Sequence, residues 1–170
     1  MARRNDIDEE ELRAMVYMTA LRCAEALHID EREMPEIHVV RKLPEGVTDT
    51  TLGCLVPEDN ALYVKRNPKD PLMMAFVTAH EIRHVWQQKN EGWENIQPTM
   101  EKRSMGHAIR VKGQSAIEYS SQSDEIDAHA FGYVFMKRVF GLKPLFNGLP
   151  ADLVKSIVAR ANAIEPYLNF

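Results

Sequence analysis

Two histidines and a glutamate lie close together near the middle of the chain, in the order His80-Glu81-Ile82-Arg83-His84. Side chains four residues apart on a helix lie one above the other, so both imidazoles can reach one metal ion. Glu81 would project from the adjacent flank, where a carboxylate can hold and deprotonate a water bound to that metal. This is the H-E-x-x-H spacing of zinc hydrolases. We therefore expect His80 and His84 to bind zinc and Glu81 to act as a base.

The residues around this motif predict a long, buried helix. Asp70 is a suitable N-cap and Pro71 a suitable first residue for a helix that runs to about Lys89. Apolar residues occur on most of its circumference, which is typical of a helix inside a domain. The alternative is a pair of core histidines with backbone partners. We favour the metal site because unpaired polar groups buried on such a helix would cost on the order of several kcal/mol.

A catalytic zinc site needs a third protein ligand and an open position for water. Residues from Ser123 to about Val139 predict a second helix, which Gly141 would end. On this helix Glu125 shares a face with His129. We expect Glu125 to be the third ligand, and His129 is the alternative.

The neighbours of Glu125 bear on this assignment. Ala128 and Gly132 are small, so another helix could approach closely and receive the carboxylate at its metal. Asp127 points about 160° away from Glu125 and cannot serve the same face. The other interpretation is that these acids are solvated helix charges without a ligand role.

The two motifs together resemble those of the gluzincin metallopeptidases. The chain reads His80-Glu81-x-x-His84 and, after a gap, Glu125-x-Asp127-Ala128-x-x-Phe131. Within that group it is most similar to the small ImmA/IrrE-like branch, whose second motif has the form E-x-E/D-A-x-x-F-A. The resemblance implies that the third zinc ligand is the glutamate of the second helix, Glu125. It covers roughly residues 36–140 in element order, and its two motifs are the specific part.

Two positions depart from that pattern. The larger thermolysin-like relatives have an aspartate four residues after the glutamate, where it orients a zinc-bound histidine, and this chain has His129 there. The ImmA/IrrE-like branch often continues into Leu-Met-Pro, whereas this chain continues Val139-Phe140-Gly141-Leu142. The first departure leaves open whether another residue has the orienting role.

The predicted elements fit a minimal zincin-like domain of the α+β class. We expect helices from about Asp8 to His28 and from Pro150 to just before Pro166, and strands at 36–43, 51–56 and 61–65. The segment Pro57-Glu58-Asp59-Asn60 has turn chemistry, so the last two strands should form a β-hairpin. The expected architecture is a small antiparallel three-stranded sheet with the H-E-x-x-H helix, the ligand helix, and N- and C-terminal helices.

Size and composition indicate one domain over residues 1–170. A chain of 170 residues with 45% hydrophobic content can build one core, and no linker rich in Pro, Gly or Ser divides it. No apolar run approaches the roughly 20 residues that span a bilayer, and the first ten residues lack the apolar core of a signal peptide. Cys23 and Cys54 are expected to be reduced core residues. We therefore expect a cytoplasmic protein without a membrane partner.

The formal net charge of −4 argues against a general nucleic-acid-binding protein. A long segment from about Gly92 to Ser120 reads as a loop, and such loops are often lids or binding segments. It contains His107 and Tyr119, which are candidates to stabilise an oxyanion, and surface positions are the alternative for both. His129 is a further candidate for a supporting role beside the metal.

These residues define a hydrolytic mechanism. Zinc held by His80, His84 and Glu125 would lower the pKa of a bound water towards about 7 and polarise a carbonyl group. Glu81 would take the proton of the attacking water and pass it to the leaving amine.

The hairpin offers a place for the substrate. A peptide could bind as an added strand along residues 52–56. Gly53 would allow close backbone approach there, and Cys54 follows it in the same strand.

Three functions are compatible with these features. The resemblance implies a zinc-dependent metallopeptidase that acts on a protein or peptide substrate, such as one regulatory protein. A non-peptidase zinc amidohydrolase would use the same residues. A non-catalytic interaction protein with a zincin fold is the third alternative, but Glu81 would have no use there beside an open coordination position.

Overall fold

Helices and a small sheet follow one another in the predicted order. The computed structural model of the protein describes residues 8–47, 51–90 and 122–170. Its main elements are α1 (Glu9–Ala26), β1 (Glu36–Val40), β2 (Gly53–Val56), β3 (Ala61–Lys65), α2 (Pro71–Lys89), α3 (Ser123–Phe140) and α4 (Ala151–Ile164). The fold is therefore of the α+β class, as the sequence predicts.

The helices begin and end where the sequence indicates. The Asp8 side chain accepts a hydrogen bond from the Glu11 N–H, and Glu11 accepts one from the Asp8 N–H, so a capping box starts α1. Asp70 starts α2 in a similar way by accepting from the Met73 N–H. Gly141 ends α3 with a φ of 67°, a left-handed conformation that favours glycine.

The sheet is mixed, which corrects the predicted antiparallel sheet. β2 and β3 form the predicted antiparallel hairpin, with Val56 opposite Ala61. β1, however, pairs in parallel with β3, with Glu36 opposite Ala61, and the strand order is β1-β3-β2. The chain reverses direction twice between β1 and β3, so these two strands run the same way. Since β3 returns between β1 and β2, the two earlier strands become the two edges.

α2 packs against the other elements on several sides. It contacts α1, β2, β3 and α3, and Met74, Ile82 and Val85 are among its buried residues. The hydrophobic cluster around it includes residues from all four helices and from β2 and β3. The prediction that this helix is buried is therefore confirmed.

Gly132 lets α3 come close to α2, as the sequence predicts. A Cβ atom added at Gly132 would lie 2.8 Å from Cε2 of Phe76. That distance is too short for an ordinary contact, so a larger residue would push the two helices apart or displace the Phe76 ring.

Two predictions from composition can also be compared with the structure. Cys23 and Cys54 are both buried and are not joined by a disulfide bond. Among the helices of the described ranges, none has the length and apolar character that crossing a membrane would require.

Candidate metal centre

α2 directs His80 and His84 towards one point inside the protein. The two residues are one helical turn apart, and their Nε2 atoms are 3.1 Å from each other. Their rings are close to perpendicular, at 82°. Exposure is 9% for His80 and 1% for His84, so the point at which they converge is shielded from solvent. The predicted convergence of the two imidazoles is confirmed.

α3 brings Glu125 to the same point. Its Oε2 atom is 3.2 Å from Nε2 of His80, and its Oε1 atom is 3.3 Å from Nε2 of His84. Glu125 is 1% exposed, and neither carboxylate oxygen has a hydrogen-bonding partner among the described residues. Asp124 and Asp127 are equally buried. The alternative that these acids are solvated helix charges is therefore wrong.

The donor atoms of these three residues have spacings close to those of ligands around a tetrahedral cation. Around a metal with ligands at about 2.0–2.1 Å, tetrahedral geometry separates the ligand atoms by roughly 3.3–3.4 Å. The two nitrogens are 3.1 Å apart, and each lies 3.2 or 3.3 Å from one of the two Glu125 carboxylate oxygens. A cation at this point would also satisfy the buried carboxylate oxygens of Glu125. The residues present can therefore hold a metal ion.

The electrostatics of the cluster favour a positive charge beside Glu125. Burial alone would raise the pKa of Glu125, but the charge of His84 holds that pKa well below its usual range. Burial alone would lower the pKa of His84, but the Glu125 carboxylate raises it to about 9. The carboxylate is thus stabilised in its ionised form by an adjacent positive charge, which either a proton or a metal cation can supply.

Two neighbouring residues lie near this ligand set. His129 forms a group with His80 and Glu125, and Asp124 forms a group with His84 and Glu125. In each group the ligand atoms all lie within 4.8 Å of one another. His129 therefore lies where an additional or alternative ligand would.

His129 is held in a defined orientation. Its Nδ1 atom is 2.8 Å from the Glu125 backbone oxygen, and its ring centroid is 4.6 Å from that of His80. Burial lowers the pKa of His129 to about 4, so the ring is neutral at pH 7. A neutral ring that donates through Nδ1 has a lone pair at Nε2. In this state the Nε2 atom can bind a metal or accept a hydrogen bond, but it cannot donate to an oxyanion.

A network of hydrogen bonds holds His84 through its Nδ1 atom. Nδ1 of His84 is 2.7 Å from Oε1 of Gln87. Nε2 of Gln87 donates to Oδ2 of Asp127 at 2.9 Å and to a backbone carbonyl of α3 at 3.0 Å. Asp127 also accepts hydrogen bonds from Nε of Arg83 and Nε of Arg160, each at 2.7 Å. Residues of α2, α3 and α4 therefore hold His84 in place through this network.

The sequence interpretation missed this network. Gln87 follows His84 by three residues on α2, and this spacing is a signal that could have indicated the contact. Asp127 was correctly placed away from the Glu125 face. Its contacts with Arg83 and Arg160 join residues 44 and 33 positions apart, and no local pattern reveals such pairs.

Glu81 lies on the flank of α2 that faces β2. A Cβ atom added at Gly53 would be 3.3 Å from Cγ of Glu81 and would clash with Val77. Gly53 thus lets α2 approach β2, a different role from the predicted approach of a substrate backbone. Burial raises the pKa of Glu81 to about 7, although the charge of His84 and a backbone hydrogen bond from Leu55 lower it. This carboxylate can therefore take up a proton near neutral pH.

β2 is an edge strand within the described part of the chain. The Lys65 N–H donates to the Leu52 oxygen at 2.8 Å, which sets the alternation of hydrogen bonds along the hairpin. Cys54 accordingly bonds to β3 through its main chain, whereas the main-chain groups of Gly53 and Leu55 point away from β3. This edge of the sheet runs past Glu81, whose carboxylate accepts the outward Leu55 N–H.

Two predicted candidates, His107 and Tyr119, lie outside the described residues, and their proposed roles stay predictions.

No model of a protein family matches the sequence, and neither a curated protein nor a solved structure matches it. The interpretation of the site therefore depends on its own geometry and chemistry.

Proposed function

We propose that the protein is a zinc-dependent metallopeptidase with a zincin-like fold. The observation that carries this proposal is the triangle of His80 Nε2, His84 Nε2 and a Glu125 carboxylate oxygen pair, with separations of 3.1–3.3 Å and Glu81 beside it. The same residues form the two motifs that resemble gluzincins of the ImmA/IrrE-like branch. Geometry and motif thus support the same assignment.

Zinc is the metal that this donor set favours. Two imidazole nitrogens and one carboxylate form a ligand set of catalytic zinc sites, which keep a position open for water. Magnesium and calcium prefer sites made of oxygen ligands, so two histidines disfavour them. When bound, zinc would supply a Lewis acid that polarises the substrate carbonyl and acidifies water.

Glu81 is the residue proposed to move the proton. Its carboxylate accepts a proton from the water as the water oxygen attacks the carbonyl carbon of the scissile bond. The carbon–nitrogen bond then breaks, and the proton passes from Glu81 to the leaving nitrogen. Burial suits this role because a carboxylate that is poorly solvated is a stronger base than one in water.

The edge of β2 supports a peptide as the substrate. The outward main-chain groups of Gly53 and the outward oxygen of Leu55 can pair with an extended peptide, which would then lie beside Glu81. The Leu55 N–H is already bonded to the Glu81 carboxylate. An added strand is held by its main chain, so this mode of binding favours a polypeptide over a small amide.

Hydrolysis of peptides by the purified protein tests the proposal. The protein would be incubated with a proteome-derived peptide library, and new termini would be identified by mass spectrometry. We expect cleavage that a chelator abolishes, that added zinc restores, and that the Glu81→Gln variant lacks. A zinc-loaded protein that cuts no peptide would contradict the peptidase proposal, and cleavage restricted to small amides would replace it with an amidohydrolase.

A further inference from the structure

We infer that Gln87 is a positioning residue of the metal centre, which holds His84 in the form that carries hydrogen on Nδ1 and a lone pair on Nε2. Asp127 in turn sets the orientation of the Gln87 amide. The inference rests on the proposed metal centre and adds residues outside the ligand set.

The orientation of the Gln87 amide follows from its neighbours. A glutamine side chain has two hydrogens to donate from nitrogen and lone pairs to accept with oxygen. One end of this amide faces the Asp127 carboxylate at 2.9 Å and a backbone carbonyl at 3.0 Å, both of which only accept. The nitrogen must lie at that end, so the oxygen faces His84.

The same logic then determines the state of His84. The Gln87 oxygen, 2.7 Å from Nδ1, can only accept, so Nδ1 must carry the hydrogen. In a neutral imidazole Nε2 is then the nitrogen with the lone pair. Nε2 is the atom that lies 3.3 Å from Glu125 and 3.1 Å from His80, at the proposed metal position.

Burial makes this arrangement hard to replace with water. Exposure is 1% for His84, 3% for Gln87 and 1% for Asp127. Arg83 and Arg160 hold the Asp127 carboxylate with hydrogen bonds of 2.7 Å each, so its oxygens stay acceptors. Through Arg160, the helix α4 therefore contributes to the orientation of a ligand on α2.

The affinity for zinc measures this role. Dissociation constants would be determined by competition with a chromophoric chelator for the wild type and Gln87→Met. Methionine matches glutamine in length but offers no acceptor oxygen, and residues that orient metal ligands typically contribute about 10–100-fold in affinity. We expect a loss in that range for Gln87→Met.

Gln88→Met is the matched control. Gln88 is the next residue of α2 and its side chain is exposed, so the same substitution there should leave the zinc affinity unchanged. Nitrogen-15 NMR of the zinc-loaded proteins gives a second readout, which a merely structural role would not move. The wild type should show His84 with hydrogen on Nδ1, and Gln87→Met should lose the single protected Nδ1–H signal.

Different results would overturn the inference and the metal centre. If Gln87→Met binds zinc as tightly as the wild type while His84→Ala does not bind it, the role of Gln87 is wrong and the metal centre stands. Equal losses in Gln87→Met and the control Gln88→Met would also overturn the inference, because the loss would then not depend on the contact with His84. If His84→Ala keeps the wild-type affinity, the proposed metal centre itself is wrong.

Discussion

His84 and His80 lie one turn apart on the same helix, but their surroundings differ. His84 is fully buried, and its Nδ1 atom joins a network of hydrogen bonds that continues through Gln87. Nδ1 of His80 has no hydrogen-bonding partner among the described residues. The His80 ring instead lies between aromatic rings, with centroid distances of 4.6 Å to His129 and 6.5 Å to Phe76.

The two proposed metal ligands are therefore held in different ways. Hydrogen bonds determine both the position and the tautomer of His84, whereas packing alone can determine only the position of His80. His80 is also the less buried of the two, with an exposure of 9% compared with 1% for His84. We therefore expect two kinds of substitution to affect the protein in different ways. One kind removes a hydrogen bond of the network at His84, and the other changes the size of a side chain beside His80.

Removing either histidine should have the largest effect, because both are proposed as ligands of the metal. His80→Ala and His84→Ala should each lose stoichiometric zinc, since two remaining ligands bind far more weakly than three. Metal content after dialysis against a weak chelator would be measured by mass spectrometry. If the double variant still holds one zinc per chain, both histidines have been wrongly assigned.

Glu81→Gln should separate catalysis from metal binding. The amide has the size of the carboxylate but cannot act as a base, so hydrolysis should fall by about 10²–10⁴-fold, or roughly 3–5 kcal/mol of transition-state stabilisation. Zinc content should stay at the wild-type level because Glu81 is not a ligand. Unchanged cleavage by this variant would show that another residue, or another protease in the preparation, is responsible.

Asp127→Asn tests the network behind His84 through stability. Arg83, whose side chain is 5% exposed, would lose its carboxylate partner, and removing one partner of a buried ion pair typically costs about 3–5 kcal/mol. Urea unfolding of the metal-free proteins measures this change. Asp152→Asn is the control because that side chain is 94% exposed, and it should change the free energy of unfolding by less than about 0.5 kcal/mol. Equal free energies of unfolding for the two variants would show that the hydrogen-bond network does not contribute to stability.

Two glycines test the packing on the other flanks of α2, with the smallest expected effects. Gly53→Ala should cost about 1–3 kcal/mol, because the new methyl group would meet Val77, a β-branched side chain with little freedom. Gly132→Ala should cost less, since its methyl group meets the far end of the Phe76 ring and alanine favours a helix by about 1 kcal/mol. Thermal unfolding of both variants checks the order, and the reverse order would contradict this description of the contacts.

The sequence predicts those parts of the site that depend on local spacing. The caps of α2 and α3, the convergence of His80 and His84, and the choice of Glu125 all follow from helical periodicity and end signals. The hairpin of β2 and β3 follows from turn chemistry in the same way. In each case the residues that determine the feature lie within one or two turns of each other.

The features that the sequence analysis missed depend on contacts between distant segments. The parallel pairing of β1 with β3 results from the path of the chain between strands, which alternation of residues does not encode. The contact between Arg160 and Asp127 needs α4 to pack against α3. Gly53 was read as space for a substrate because only the packing of α2 against β2 shows what fills that space.

A crystal structure of the zinc-loaded protein, with anomalous data collected at the zinc absorption edge, tests the central claim most directly. The account predicts one anomalous peak per chain, within about 2.0–2.2 Å of Nε2 of His80, Nε2 of His84 and a carboxylate oxygen of Glu125. A peak bound by Asp124 or His129 with Glu125 turned away would contradict the claim, as would a fully zinc-loaded protein with no peak at this position.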